Sequence, residues 1–544
     1  MKKRLTALLF AMVMVVSSLV GCNNGNDTQQ NIDNNNTQLQ DNQQSTDKTV
    51  VVGLASDLKT LDPGRMYEVF GNMVTYATYD MLFRMEGDNM SQPEPSLVKE
   101  WSLDDETNTI YTFTLRDDVN FVSGNHLTSK DVAWSINRVR NLKSNTVAHV
   151  EGISDVQTPD DNTVIIILKS PDASFLTKLA SNAFCILDSE TVKANGGTDA
   201  QDASSTDTAE QYLNTNSAGS GPYKLVSWTP NVELVLEKNE DYWGETGNVE
   251  KYIIKEIPDT NTQIQMLERG EIDIALTLNS DNVTQLKGKD GIDIITSQSF
   301  ATTFLLMNED ESIGGPISNP DVQKAIRYAI DYNGLKDLCG ESATLPLSIV
   351  PQGFVGAKTK AENYQDIEFA KRLMEKAGYA DGFDITLTVG NYDTEGLSWV
   401  TMAQKIQSDL AAININVKVE TTEIGVVLDQ YREGKAAFLF MHWTPDYYDI
   451  NNQLVFLPGD TVGKRANWAA DASPEMTELG NKIIGESDSQ LRAEYSEQLQ
   501  GLLAENSPYA FLLQHPKTFA VSSRLENVIY NDLCKIQFSK LSVK

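Results

Sequence analysis

The chain is poor in basic side chains, in histidine and in cysteine, and each shortage argues against one class of function or binding site. Its 544 residues include 44 Lys and Arg against 76 Asp and Glu, so the formal net charge is −32. Nucleic-acid binding requires a basic face, and this balance argues against a nucleic-acid partner. An acidic balance fits a soluble exported protein, although it does not identify a ligand.

The histidines are too few and too scattered to support familiar catalytic chemistry. They are His126, His149, His442 and His515, and no two of them are four residues apart. A His-Glu-x-x-His zinc helix, a Gly-x-Ser-x-Gly elbow, a phosphate loop and a dinucleotide fingerprint are all missing from the sequence. We therefore predict a protein that is not an enzyme, with no catalytic residues, no metal site and no cofactor.

A single apolar run is long, and it lies at the N-terminus. Three basic residues precede the run from Leu5 to Val20, which is shorter than the about 20 residues of a membrane-spanning helix. A charged start, a short apolar core and a small residue before the cleavage point are typical of a secretory signal, here residues 1–21. The motif Leu19-Val20-Gly21-Cys22 resembles a bacterial lipobox, which implies a diacylglyceryl group on Cys22. The alternative is an ordinary signal peptide with a chance cysteine.

The segment that follows Cys22 is polar throughout. Residues 23–47 are rich in Asn, Gln, Asp and Thr, and such a composition cannot bury enough apolar surface to order a chain. With the lipidated Cys22 it is predicted to form a flexible tether, residues 22–47, that holds a domain near the outer face of the cell membrane.

Three cysteines remain, an odd number, so at least one thiol is unpaired. These are Cys185, Cys339 and Cys534, whose spacing suits no zinc motif. Small buried residues are the simpler interpretation.

The body of the chain alternates strand and helix patterns. Apolar residues alternate with polar ones at 111–116 and 232–236, as in half-buried strands, and 163–168 is an apolar run typical of a strand covered on both faces. Further strands are predicted at 385–389, 415–419 and 436–441. Together with the helices described next, these patterns predict α/β lobes.

Helix ends are marked by capping residues. Thr128 and Asp131 can form a capping box, and Asn319 can cap a helix whose first residue is Pro320. A third apolar face begins at Ile367 and is stopped by Gly378. Residues 195–220 lack core residues and are predicted to form a surface excursion with one short helix near 209–213.

Several segments of the chain stand in a recognisable order. They are Leu61-Asp62-Pro63 with 79–83, 95–102, 111–116, 219–225, 239–243, 270–274, 322–331, 370–379 and 442–447. In this order they resemble the bacterial extracellular solute-binding proteins of family 5, the oligopeptide and dipeptide type. They span about residues 50–530, and their order is specific for the family but not for a ligand.

The resemblance implies a two-lobed periplasmic-binding-protein fold of type II, with an extra subdomain in the first lobe. The first lobe would comprise residues 48–300 and 512–544, its subdomain 84–218, and the second lobe 301–511. The lobes would close on a ligand by hinge motion, with no bond made or broken. The implied role is the binding protein of an ABC importer, which captures peptides and delivers them to a membrane permease. The sequence shows no coiled-coil heptad or large apolar stripe, so we predict a monomer.

The resemblance also implies where a ligand binds. The strand at 436–441 leads into Trp443 and Asp446, and the aspartate at this place pairs with a peptide's amino terminus in peptide-binding members. A charge-assisted bond suits a desolvated ammonium. Asp446 could instead be a turn residue after Pro445, and Trp443 could be core. The further candidates are Tyr447, Asp449, Tyr67, Glu68, Val69 and Phe511. The loop at 67–70 could equally be a buried helix start.

One departure from the family pattern concerns the ligand's carboxylate. Some oligopeptide binders have a basic residue three positions before the tryptophan, where this chain has Phe440. Lys435 and Arg465 are nearby in sequence, but the sequence alone does not place them. An oligosaccharide or a metal chelate, which other family members bind, is therefore the alternative ligand.

Overall fold

The structure is a computed structural model that describes residues 48–55, 58–68, 70–87, 92–104, 106–340, 342–346, 348–358 and 365–544. The predicted signal, the tether and Cys22 lie outside the described residues, as does Val69. Within the described residues, no helix is both long enough and apolar enough to cross a membrane.

The first large sheet has seven strands and combines both ends of the described chain. Its central strand, Thr49–Leu54, pairs in parallel with Lys251–Glu256 on one side and with Ile274–Ala275 on the other. In spatial order the strands are Ile292–Ser297, Lys517–Ser522, Ile274–Ala275, Thr49–Leu54, Lys251–Glu256, Glu233–Lys238 and Tyr223–Thr229. The alternation predicted near residues 232–236 is confirmed, since Leu234 and Leu236 are buried between half-buried neighbours.

The second large sheet has five strands from the later part of the chain. In spatial order they are Ile415–Thr422, Phe383–Gly390, Phe438–Trp443, Thr302–Met307 and Tyr509–Gln514. The strands predicted at 385–389, 415–419 and 436–441 are confirmed, with the last shifted by two residues toward Trp443. The chain passes from the first sheet to the second at residues 298–301 and returns at residues 515–516.

A four-stranded antiparallel sheet is formed by residues that lie, in the sequence, between the strands Thr49–Leu54 and Tyr223–Thr229 of the first large sheet. Its strands, in spatial order, are Val98–Leu103, Ile110–Leu115, Thr163–Leu168 and Ile153–Gln157. The prediction that residues 163–168 are covered on both faces is wrong, because buried and half-buried side chains alternate along this strand. Antiparallel sheets commonly have one face less covered than the other, and an apolar run alone does not reveal this.

The helices begin where the capping residues predict. Thr128 and Asp131 form the capping box of Ser129–Leu142, and the Asn319 side chain accepts from the backbone of the helix that starts at Pro320. The α-helices are Gly71–Thr78, Ser129–Leu142, Phe175–Lys178, Ser189–Ala194, Ala203–Thr206, Glu210–Leu213, Thr260–Glu268, Ser280–Leu286, Glu311–Gly314, Pro320–Ala329, Tyr332–Cys339, Ile367–Lys376, Trp399–Leu410, Ile424–Arg432, Ile450–Gln453, Thr461–Arg465, Pro474–Gly485 and Ser489–Glu505.

Shorter elements complete the chain. The 3₁₀ helices are Asn145–His149, Asn182–Phe184, Gly315–Ser318, Ala411–Ile413 and Leu454–Phe456. The two-residue strand pairs are Phe83–Arg84 with Glu94–Pro95, Asp393–Thr394 with Leu397–Ser398, Leu525–Glu526 with Ser542–Val543, and Tyr530–Asn531 with Lys535–Ile536.

The excursion at residues 195–220 is more deeply packed than its composition predicts. Asp207 is buried and accepts from the Arg138 Nε at 2.8 Å, and the same guanidinium donates to both Asp62 oxygens at 2.8 and 2.7 Å. This buried network ties the excursion to the Leu61-Asp62-Pro63 turn. It therefore fixes the start of the segment that leads to Tyr67.

The three cysteines of the body are free thiols. Cys185 and Cys534 are buried, and Cys339 is half-buried. Burial raises the pKa of Cys339 and of Cys534 to about 12. The interpretation as small packed residues agrees with this placement.

Candidate functional site

The strand Phe438–Trp443 delivers the candidate site at its carboxyl end. Its neighbours are the parallel strand Phe383–Gly390 and the antiparallel strand Thr302–Met307. Phe440 and His442 project toward the buried Trp399, each with its ring centroid 5.3 Å from the indole. Trp443 projects to the opposite face, as the two-residue period of a strand requires. The chain then turns at Pro445, and Asp446 lies half-buried beyond the end of the strand.

Asp446 meets a residue from the other end of the sequence. The Tyr67 hydroxyl donates to Asp446 Oδ1 at 3.0 Å, across 379 residues of chain. Within the described part of the chain, the second oxygen, Oδ2, accepts no hydrogen bond, and no basic group forms an ion pair with this carboxylate. Asp446 therefore presents a charged acceptor that the described residues leave uncompensated.

Tyr67 is the exposed member of this pair. Its surface is 54 % accessible. The partial enclosure of its phenol and then the charge of Asp446 raise the pKa of Tyr67 well above its usual value. The hydroxyl therefore stays protonated and acts as a donor. Tyr67 N donates to Glu68 Oε2 at 3.1 Å, and the Glu68 carbonyl accepts from Gly71 N at the start of a helix.

Asp449 lies three residues beyond Asp446 and has different surroundings. Both of its oxygens accept from the Arg492 guanidinium, one at 2.8 Å, and its side chain caps the helix Ile450–Gln453. Both side chains are nearly buried, at 10 % and 11 % accessibility. The charge of Asp449 is thus already neutralised, so this residue serves the fold rather than presenting a free acceptor.

Tyr447 is covered by the part of the chain that carries the four-stranded sheet. Lys178 Nζ lies 5.1 Å from the centre of the Tyr447 ring, and the His149 ring lies 5.9 Å from it in an edge-to-face arrangement. Burial lowers the pKa of His149, which keeps this imidazole neutral near neutral pH. The sequence offered no signal for His149 or Lys178, because only the tertiary fold brings them beside the Asp446 loop.

Trp443 and Phe511 belong to one aromatic cluster. The Trp443 ring packs 5.6 Å from Phe456, whose ring also lies 5.4 Å from Phe511. Phe511 is 8 % accessible. Trp443 is half-buried, and its Nε1 is enclosed without a hydrogen-bond partner among the described residues. The structure thus places Phe511 in the core below the site and Trp443 at its boundary.

Arg465 is a cation that the sequence could name but not place. It ends the helix Thr461–Arg465, and its guanidinium carbon lies 4.6 Å from the centre of the Tyr431 ring. It is half-buried and forms no ion pair with a described carboxylate. The charge of Arg465 partly offsets the effects of burial and of Asp446 on the pKa of Tyr67.

The arrangement offers polar groups that a ligand could contact. Asp446 offers a carboxylate oxygen that no described cation neutralises, and Tyr67 beside it offers an exposed phenol. Within the described residues, no group of three or more His, Cys, Asp or Glu side chains could hold a metal ion. The fold and this site together define a two-lobed α/β binding protein.

The comparisons with known proteins agree with that class. The family model of the bacterial extracellular solute-binding proteins, family 5 (middle region), matches residues 92–464. The probable D,D-dipeptide-binding periplasmic protein DdpA of Escherichia coli K12 is 26 % identical over 496 residues, which cover 90 % of this chain and 93 % of that protein. The chain therefore belongs to the family 5 solute-binding proteins, as its motifs predicted.

Solved structures share the fold. The periplasmic binding protein DppA from Helicobacter pylori, solved with the peptide STSA, superposes with a TM-score of 0.74 at 23 % identity and covers 91 % of this chain and 98 % of its own. NikZ from Campylobacter jejuni, solved with Ni(L-His), gives a TM-score of 0.71 at 19 % identity and covers 89 % of this chain and 95 % of its own. These likenesses confirm the predicted two-lobed α/β fold.

Proposed function

We propose that the protein captures short peptides between its two lobes and delivers them to the permease of an ABC importer. The lobes would be those expected from the sequence, residues 48–300 with 512–544 and residues 301–511, with residues 84–218 as the subdomain of the first. The two large sheets and the two crossings between them support this division. The class of ligand is supported by two similar proteins. DdpA is named as a probable D,D-dipeptide-binding protein, and the DppA structure contains the peptide STSA.

The uncompensated Asp446 carboxylate is the observation that carries the proposal. A peptide's ammonium group, once removed from water, requires a charged acceptor, and a charge-assisted hydrogen bond is about twice as strong as a neutral one. Tyr67 occupies Oδ1 and leaves Oδ2 for the ammonium. Because Tyr67 and Asp446 come from opposite lobes, a ligand bound here would contact both lobes and favour closure.

Arg465 is our candidate for the peptide's carboxylate. Arg465 is half-buried and no described carboxylate neutralises it, so its guanidinium can offer its charge to an anion. Its planar donors match a carboxylate. The basic residue that some relatives place three positions before the tryptophan is Phe440 here, and Phe440 is fully buried against Trp399. Arg465 would therefore supply from a later helix what Phe440 cannot.

The first test identifies the ligand directly. Native mass spectrometry of the gently purified protein, followed by denaturing analysis, is expected to reveal a set of co-purified peptide masses. A single mass of a sugar or of a metal chelate would contradict the peptide assignment and favour the alternative ligand. The NikZ structure, which contains Ni(L-His), shows that this fold accommodates a chelate.

The second test assigns the ends of the peptide. In calorimetry with the tetrapeptide Ser-Thr-Ser-Ala, Asp446→Asn is expected to weaken binding about 10- to 100-fold, since one partner of a desolvated charge pair is lost. N-acetylating the peptide should weaken its binding to the unmodified protein similarly and cause no further loss in Asp446→Asn. Arg465→Gln should discriminate less between the free acid and the C-terminal amide.

Asp471→Asn is the matched control, because Asp471 is exposed in the same lobe. It should bind as the unmodified protein does. Full affinity of Asp446→Asn for the free peptide would refute the site, whatever the mass spectra show.

We also propose that Cys22 is lipidated and anchors the protein outside the cytoplasm. The lipobox-like motif and the polar segment after it support this. Cys22→Ala is expected to move the protein from the membrane fraction to the soluble fraction, whereas Cys185→Ala, in the body, should leave it at the membrane. Retention of Cys22→Ala at the membrane would contradict the anchor.

A further inference from the structure

A small hairpin extends from the five-stranded sheet toward the seven-stranded sheet. Its strands are Asp393–Thr394 and Leu397–Ser398, and its tip is Glu395 and Gly396, with φ angles of 45° and 79°. Positive φ at both central residues is the geometry of a tight two-residue turn. The hairpin is anchored at its base, where Trp399 Nε1 donates to Thr394 Oγ1 at 2.8 Å. Because Trp399 is fully buried, the hairpin is expected to move together with the five-stranded sheet and the helices packed on it.

The tip of the hairpin makes two contacts with the seven-stranded sheet and the segments that adjoin it. Glu395 Oε2 forms an ion pair with Lys517 Nζ at 2.6 Å, and the two side chains are only 20 % and 8 % accessible. Gly396 lies so close to the segment after Ile274–Ala275 that an added Cβ would meet the Leu278 carbonyl oxygen at 2.4 Å. One contact depends on charge and the other on the absence of a side chain.

The tip lies beside the place where the chain crosses between the sheets. Lys517 begins a strand of the seven-stranded sheet and pairs across from Ser297, the last residue of another. The crossings themselves are held together by His515 N, which donates to the Ala301 carbonyl at 2.8 Å. The tip belongs to the five-stranded sheet and Lys517 to the seven-stranded sheet, so a rotation of one sheet against the other would act on this contact.

We propose that the tip, Glu395 and Gly396, is a hinge-side latch that holds the empty protein closed. The proposal rests on the lobe division and the hinge motion proposed above. The ion pair joins the two sheets in the form described here. Separation of the lobes would break it, so the pair would shift the population toward closure before any ligand arrives. Because the cost of removing both charges from water offsets much of their attraction, and both groups regain water on opening, the latch biases the equilibrium without locking it.

The latch is separate from the ligand site. Tyr67 and Asp446 meet at the mouth between the lobes, whereas Glu395 and Lys517 meet at the hinge and contact neither of them. Weakening the latch should therefore change how often the cleft opens without removing any ligand contact.

Hydrogen–deuterium exchange of the full-length protein without added peptide tests the latch. In Glu395→Gln, which keeps the size of the side chain, amides in segments 62–68 and 443–449 are expected to exchange about three- to tenfold faster than in the unmodified protein. Lys517→Met should do the same. The charge-swapped double variant Glu395→Lys with Lys517→Glu should return the exchange toward the original rate.

The control is Glu420→Gln, since Glu420 pairs with Lys418 at 3.4 Å on an exposed strand of the same sheet. Its cleft segments should exchange at the original rate. Unchanged exchange at the cleft in Glu395→Gln and in Lys517→Met would overturn the latch. Faster exchange that the double variant does not reverse would overturn the ion pair as its cause. Neither result depends on whether the ligand is a peptide.

Discussion

Two carboxylates three residues apart in one loop have opposite surroundings. Asp449 is enclosed by Arg492, caps a helix and has its charge neutralised, whereas Asp446 is bound only by a neutral hydroxyl, that of Tyr67, and by no cation among the described residues. Asp449 therefore stabilises the loop, whereas Asp446 keeps a carboxylate oxygen that a ligand could contact. A sequence motif shows two similar acids here, but only one of them has an oxygen left for a ligand.

Breaking the Asp449 pair should produce the largest effect, and it should be an effect on stability. Arg492→Ala leaves a nearly buried carboxylate without its partner, which costs about 3–5 kcal/mol in the free energy of unfolding. Urea denaturation followed by circular dichroism measures this loss.

The matched control for Arg492→Ala is Arg432→Ala. Arg432 pairs with Asp429 at 3.7 Å on the surface, where both side chains are exposed. Such a pair contributes at most about 1 kcal/mol. Equal losses in the two variants would contradict the structural role given to Asp449.

Acid should destabilise the protein through two histidines with lowered pKa values, one of which precedes Trp443 on its strand. Burial lowers the pKa of His442 to about 4, and burial together with the charge of His442 lowers that of His515 to about 3. An unfolded histidine titrates near about 6.5, so the unfolded chain binds protons first. The stability due to these neutral imidazoles is fully present above that pH and is lost as the pH falls through about 4, by at most about 1.4 kcal/mol per pH unit for each group.

Urea denaturation at pH 7, 6 and 5 measures this dependence. His515→Gln should reduce the slope of stability against pH, because the amide cannot take up the proton. His126→Gln, at an exposed position, should leave the slope unchanged. An unchanged slope in His515→Gln would contradict the assignment to this buried imidazole.

Local and long-range features were not equally predictable. The capping box of Thr128 and Asp131 and the alternation near Leu234 depend on neighbouring residues, and both are confirmed. The cover over residues 163–168 was mispredicted, since an apolar run does not reveal what packs on each face of its sheet. For the candidate site, the position of Asp446 at a strand end followed from the motif.

The partners of the site could not be predicted. His149 and Lys178 approach Tyr447 from a much earlier part of the chain. Arg492 lies on the helix Ser489–Glu505, and no sequence motif indicates that it pairs with Asp449. Only packing determines which of the many acidic side chains keeps a free oxygen, because composition and spacing are the same for a neutralised acid and an available one.

The smallest effect should come from the Tyr67 hydroxyl, and it sharpens the contrast with Asp449. Arg492 neutralises Asp449, but Tyr67 only orients Asp446 and leaves its charge in place. Tyr67→Phe keeps the aromatic ring at the mouth and removes one hydrogen bond to a carboxylate. We therefore expect calorimetry with Ser-Thr-Ser-Ala to show a loss of about three- to tenfold in affinity, less than in Asp446→Asn. Tyr379→Phe, at a half-buried tyrosine whose ring lies 5.5 Å from that of Phe383, should bind as the unmodified protein does. Tighter binding by Tyr67→Phe would mean that the hydroxyl competes with the peptide's ammonium for Asp446 instead of positioning the carboxylate for it.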